Sequence, residues 1–334
     1  MLTEADLDKE LRLDWKEFSK GAGHWLKLFD DSFALDGVPL YARPLRSAMR
    51  MVNEAMPELP YGDSKEDSYF HKEWFSALVV AIRHWYDDRY GADALTAAKT
   101  TLPGLAMLYG TPVRLEIRET LAKVEVEGET SWCIWPDSIH DTESVLSFLP
   151  HKPNLHALEP DARAKFEEDV GTVVRRTRTM NLALQAASGL PDEGRQMVPG
   201  VIRHIEKGVS DILSLSPANA AVAVWEFHLA VEKAFKVFLH QNGNIHKTHD
   251  LATLYERAQD CGLSVTEAVL KKLPFWKKSS DYRYAEEEVY IEHAVEIYDA
   301  ALQLVDEITS KLHRRLVINN GAILMRKPKW VGRN

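Results

Sequence analysis

Cysteine is nearly absent from this chain: Cys133 and Cys261 stand far apart and form no CxxC pair, which excludes a disulfide framework and a cysteine-based zinc site. Long apolar runs are also missing. The longest, such as Ala77–Ile82, is too short to span a bilayer, so no membrane partner is expected. The opening Met1-Leu2-Thr3-Glu4-Ala5-Asp6 is acidic and has no basic, apolar leader pattern, and the cytoplasm is the default expectation. The sequence contains no GxxxxGK[ST], GxGxxG, HExxH or GxSxG motif, so phosphate-loop, dinucleotide-binding, zinc-protease and serine-hydrolase chemistry have no sequence support. His246 and His249, with His240, lack carboxylate or cysteine partners at ligand spacing. No metal and no cofactor are expected.

One further absence is local. From Ile308 to Asn334 there is no acid, while Lys311, Arg314, Arg315, Arg326, Lys327, Lys329 and Arg333 give +7. Subtracting that from the net charge of −9 leaves −16 on residues 1–307, a basic tail on an acidic body. What remains is ordinary for a soluble globular chain, with 45% hydrophobic and 27% charged residues over 334 positions, enough for two domains.

The first hundred residues read as helical with breaks at Asp36–Pro39 and Pro57–Asp63. The clearest helix there is Tyr69–Tyr90, with Trp74, Leu78, Ala81, Ile82 and Trp85 on its apolar face. Near Tyr109 the period becomes two. Val113, Leu115 and Ile117, then Val124 and Val126, then Trp132–Trp135, predict a three-stranded antiparallel meander over about 111–136. A charged helix from Asp161 to Ala187 follows, on which Arg175, Arg176 and Arg178 read as an exposed face. Gly189, Pro191 and Gly194 mark the expected domain boundary.

Beyond it, four helices are expected: Gln196–Leu215, Pro217–Gln241, Leu251–Gln259 and about Ala285–Leu312. In the second, Val224, Phe227, Val231, Phe235 and Phe238 recur at helical steps, and Asn242-Gly243 ends it. In the last, Tyr290, Ala294, Ile297, Ala301, Leu304 and Ile308 form one stripe. Short connections imply an antiparallel bundle. Around Asn319-Asn320-Gly321 a hairpin is plausible. The fold class expected is α+β, mainly α: an N-terminal domain over 1–190 with a small antiparallel sheet, a helical bundle over 195–315, and a basic tail over 316–334.

Three signatures sit in fixed order on that bundle: Ala230-Val231-Glu232-Lys233-Ala234-Phe235-Lys236, Thr248-His249-Asp250-Leu251, and Asp281-Tyr282-Arg283-Tyr284. The order resembles the HEPN family (higher eukaryote and prokaryote nucleotide-binding domains), an all-α bundle of RNA-cleaving toxins, defence proteins and nucleotide-binding modules. The resemblance covers about residues 196–314. It implies RNA or nucleotide binding in toxin–antitoxin or phage-defence biology. It also implies a homodimer through the bundle and a possible partner protein such as a nucleotidyltransferase.

The residues it assigns to binding are Glu232, Lys233, Lys236, His249, Arg283 and Tyr284. Lys277 and Lys278 join them, because Lys271–Lys278 interleaves lysines with Phe275 and Trp276, the mixture that single-stranded RNA sites use. HEPN ribonucleases carry an Arg-x4-6-His motif. Here Arg283, Glu288 and Tyr290 form Arg-x4-Glu-x-Tyr, with Glu288 at the histidine position. Binding with poor or no cleavage is the expectation, since a carboxylate repels phosphate and is a weak base at neutral pH. An active ribonuclease and a non-catalytic dimerisation or docking module with a sensing N-terminal domain are the alternatives. On structural grounds alone, Arg283 pairs with Glu232, Tyr290 joins the core stripe and Asp250 caps the third helix.

Overall fold

The computed structural model describes residues 15–66, 69–70, 72–95, 101–126, 130–245, 247–274, 276–284, 288–316 and 320–326. They fall into two compact units, one within residues 1–99 and one over 100–325. The chain is mainly helical with small antiparallel sheets, an α+β protein. No helix among the described residues is long and apolar enough to cross a membrane.

In the first unit, α1 (Trp15–Leu35), α2 (Arg43–Arg50) and α3 (Glu73–Tyr90) carry the core. Leu26, Phe29 and Phe33 recur at three- and four-residue steps on α1 and bury with Trp74, Phe75, Leu78, Ile82 and Tyr86 of α3. Asp30 is buried among them and accepts from Arg43 at 2.8 Å and from the Tyr90 hydroxyl, which satisfies its charge.

The second unit opens with a hairpin of β1 (Thr101–Leu108) and β2 (Thr111–Arg118). Its turn residues Tyr109 and Gly110 both have positive φ, 52° and 73°. Such a two-residue turn matches the strands' twist. β3 (Leu121–Val126) and β4 (Thr130–Trp135) pair antiparallel and are joined by β5 (Gly321–Arg326) in a separate sheet ordered β3-β4-β5. The expected strands therefore form, but not as one meander. The Arg118 carbonyl at the end of β2 accepts from Arg178 at 3.0 and 3.2 Å, and β3 leaves for the other sheet. Of the expected tail hairpin, the second arm is β5 and its partner is β4; Val317–Asn319 and Lys327–Asn334 lie outside the described residues.

The helices are α4 (Pro160–Ala186), α5 (Asp192–Leu213), α6 (Pro217–Gln241), α7 (Leu251–Asp260), α8 (Glu267–Leu270), α9 (Trp276–Arg283) and α10 (Ile291–Ser310). Pro217 opens α6, where its missing N–H is one the helix leaves unbonded anyway, and the Ser216 hydroxyl accepts from Asn219 N–H. α6 is the central helix, packed by α5, α7, α9 and α10, and buries side chains on every face.

The unit boundary at 99/100 replaces the one expected near 190. Leu105, Leu115 and Ile117 of the hairpin and Val170 and Val174 of α4 bury in the same apolar cluster as Val231 of α6 and Leu304 of α10. The Tyr298 hydroxyl of α10 accepts from Leu105 N–H at 3.2 Å, tying the hairpin to the last helix. Ala187–Pro191 is a connection inside the unit, and Gly194 lies in α5. Arg178, expected on an exposed face, is fully buried, because α4 is covered by the hairpin on one side and α10 on another.

The last helix begins at Ile291, later than expected. Ala294, Ile297, Ala301, Leu304 and Ile308 are buried as their spacing requires, but Tyr290 is its extended N-cap residue and 84% exposed. Val289 takes the buried place instead. Its N–H donates to the Pro217 carbonyl at 3.3 Å, pinning an extended segment to the start of α6.

Candidate functional site

A stripe bearing polar groups runs along α6 at Trp225, His228, Glu232 and Lys236, with spacings of three, four and four residues. Helical periodicity puts these on one face. Glu232 is 4% exposed, and its carboxylate accepts from Lys236 Nζ at 2.7 Å and from His249 Nδ1 at 3.0 and 3.1 Å to its two oxygens. Asp250 next to His249 caps α7, accepting from Thr253 N–H at 2.9 Å, so the loop that carries His249 is fixed by the helix it starts.

One turn back, His228 is fully buried. Its Nε2 lies 3.1 Å from the His249 carbonyl, and its Nδ1 lies 2.9 Å from the Ser279 hydroxyl of α9 and 3.3 Å from the Pro274 carbonyl. Burial lowers the His228 pKa below the ordinary histidine value, against the pull of the His249 carbonyl, the Glu232 charge and the Pro274 carbonyl. The Trp225 ring lies parallel to that of His228, with centroids 6.3 Å apart. The Arg283 guanidinium sits 5.7 Å from the Trp225 centroid and 5.4 Å from that of Tyr284, both within cation–π reach. Lys278 Nζ is 5.6 Å from the Tyr282 ring. Arg283, Tyr284 and Lys278 are exposed.

The structure thus joins five of the expected residues, Glu232, Lys236, His249, Arg283 and Tyr284, through three that sequence reasoning missed. Those are Trp225, His228 and Ser279. The α6 spacing was the available signal for the first two; nothing marked Ser279. The expected Arg283–Glu232 pair does not form, because His249 and Lys236 occupy the carboxylate and Arg283 faces the Trp225 ring. Lys233 is half-buried against Gly200 of α5 and stands apart from the network. Glu288 and Tyr290 are exposed on the segment before α10 and make no described contact with Arg283. Of Lys277 the backbone alone is described, and Phe275 and His246 lie outside the described residues.

A second cluster lies on another face of α6, toward α5. Glu226 accepts from His204 Nδ1 at 2.6 Å and Lys207 Nζ at 2.5 Å. Burial works to raise its pKa, but the His204 and Lys207 hydrogen bonds outweigh that and hold the carboxyl below its ordinary range. No group of three or more potential metal ligands occurs among the described residues.

Chemically, the inner network is a set of charges and hydrogen bonds that locks α6 to the α7 cap and to α9. Its outer end offers a cation among rings, suited to a phosphate and a stacked base. Comparison with family models, with curated proteins and with solved structures found no match to this chain.

Proposed function

We propose that the larger unit binds RNA or a nucleotide through Arg283 and its aromatic neighbours, without cleaving it, in a defence or toxin–antitoxin role like that of the HEPN family it resembles. The observation that carries this reading is the exposed Arg283 guanidinium held between Trp225 and Tyr284, with Lys278 nearby on α9. Stacking and charge together suit single-stranded RNA without sequence preference. The expectation of binding without cleavage rests on Glu288 at the family's histidine position.

The test is fluorescence anisotropy with labelled single-stranded RNA, paired with a denaturing gel for intact RNA. Arg283→Ala and Tyr284→Ala should each weaken binding by roughly tenfold, as about 1–3 kcal/mol per stacked base implies. Deleting 327–334 should flatten the salt dependence, because Lys327, Lys329 and Arg333 no longer release counterions. Wild-type protein that does not bind RNA at low salt removes the reading. Cleavage abolished by Arg283→Ala replaces it with the ribonuclease.

A second reading is a cytoplasmic dimerisation or docking module. It is favoured by the way Glu232, Lys236 and His249 hydrogen-bond to one another. Concentration-dependent mass without RNA binding is its signature.

A further inference from the structure

A cavity of about 690 Å³ opens where the end of α4, the first turns of α5 and the segment after α10 meet, beside Trp135 of β4. That is within the roughly 300–1,000 Å³ of small-molecule sites. Its frame is tied together by backbone. Ser188 N–H donates to the His313 carbonyl at 2.9 Å and Arg315 N–H to the Ala186 carbonyl at 3.3 Å. The Gln241 side-chain amide donates to the Ser188 and His313 carbonyls at 2.5 and 2.9 Å. The rim is therefore built by two distant stretches of chain pinned to each other.

Leu184, Leu190 and Pro199 line the cavity with carbon, and Trp135 adds one ring. Pro199 lies inside α5 and has no N–H, so that wall presents its ring and no donor. Among the described residues, the charged side chains that line the cavity are Arg195 and Arg315, and no acid does. Arg195 Nη2 donates to the Leu190 carbonyl at 3.2 Å, which holds its guanidinium at the rim. Its ion partner Asp192 is 3.9 Å away and both side chains are largely exposed, so that pair neutralises little. The Arg315 side chain is exposed and makes no hydrogen bond or ion pair with a described residue.

We propose that this cavity binds a small organic carboxylate, its apolar body against Leu184, Leu190, Pro199 and Trp135 and its head group between Arg195 and Arg315. Guanidinium groups meet carboxylates with paired, charge-assisted hydrogen bonds. A nucleotide fits the same walls poorly, because its ribose and base edges lose water there with few polar partners. The site is distinct from the Arg283 surface and independent of RNA binding.

Isothermal titration calorimetry of the full chain with decanoate, 4-phenylbutyrate, decan-1-ol and AMP tests it. At least one carboxylate should bind saturably at one per chain, and decan-1-ol at least about tenfold more weakly, the size of one lost charge-assisted contact. The double variant Arg195→Gln/Arg315→Gln changes exposed side chains only. It should lose that carboxylate affinity about tenfold and leave decan-1-ol binding unchanged. Arg283→Ala should leave carboxylate binding unchanged. No saturable carboxylate binding, equal affinity for the alcohol, indifference to the arginine variants, or tighter binding of AMP would each overturn the assignment.

Discussion

Arg178 and Glu143 form a two-pronged ion pair, with Nη1 2.7 Å from Oε2 and Nη2 2.8 Å from Oε1, and their side chains are 1% and 2% exposed. The same guanidinium donates to the carbonyls of Arg118 and Ser138, the latter at 2.5 Å, so one α4 side chain holds the end of β2 and the loop after β4. Neither charge has water to fall back on. Removing one partner of such a pair leaves the other uncompensated and costs about 3–5 kcal/mol. Arg178→Met and Glu143→Leu should each destabilise the larger unit by that order, and the double variant by clearly less than their sum. Urea unfolding of the cycle measures it; additive losses would mean the pair is not coupled.

His228 sets an acid limit on the same unit. Its folded pKa lies below the ordinary 6.5 because burial disfavours the charged ring. Below about 6.5 the unfolded chain therefore binds a proton that the folded chain refuses, and stability falls as pH drops through that range. Glu226, held below its ordinary 4.5, acts in the same direction but in a more acidic window. His228→Gln should lower stability at pH 8, because the Ser279 and His249 hydrogen bonds change, yet flatten the melting-temperature profile between about pH 7 and 5. Parallel profiles for variant and wild type would show that His228 does not titrate on unfolding.

Glu232 accepts from both Lys236 and His249, so its loss should exceed that of either partner. Glu232→Gln leaves Lys236 nearly buried beside a neutral amide, and a destabilisation of about 2–4 kcal/mol is expected. His249 is half exposed and can return to water, so His249→Ala should cost about 1 kcal/mol or less. RNA affinity discriminates further. Lys236→Met should leave it unchanged while Arg283→Ala weakens it, since the Lys236 charge is spent on Glu232. Equal weakening by both would place Lys236 on the ligand instead.

Periodicity made the long elements legible. The α6 and α10 stripes and the Pro217 start stand where the spacing puts them, because long amphipathic helices repeat their signal many times. β1 was hidden by Pro103-Gly104 and by burial on both faces, which erases alternation. Arg178 read as surface because burial of an arginine depends on Glu143 and two carbonyls that only tertiary structure supplies. Tyr290 failed for a local reason: the stripe's phase admits it, but the chain is already extended there and Val289 fills the space. In the site, Glu232 and His249 could be named from their order along the chain. Their pairing with each other, and the reach from Trp225 to Arg283, come from how α7 and α9 pack on α6.

Two helical glycines should respond to alanine with opposite signs. Gly171 on α4 has open space: an added Cβ meets only Ile139 Cδ1, at 4.0 Å. There the ordinary helix preference of alanine over glycine, about 0.5–1 kcal/mol, should appear as a gain. Gly208 on α5 faces Phe227 of α6, and a Cβ would lie 2.7 Å from Cζ and 2.9 Å from Cδ1. Phe227 is fully buried and packs on Tyr298, so it cannot swing aside without disturbing α10. Overpacking of that kind costs about 1–3 kcal/mol, more than the helix preference returns, and Gly208→Ala should be a net loss. Chemical denaturation of the two single variants checks the pair, and a gain at Gly208 would mean that α5 and α6 can separate without penalty.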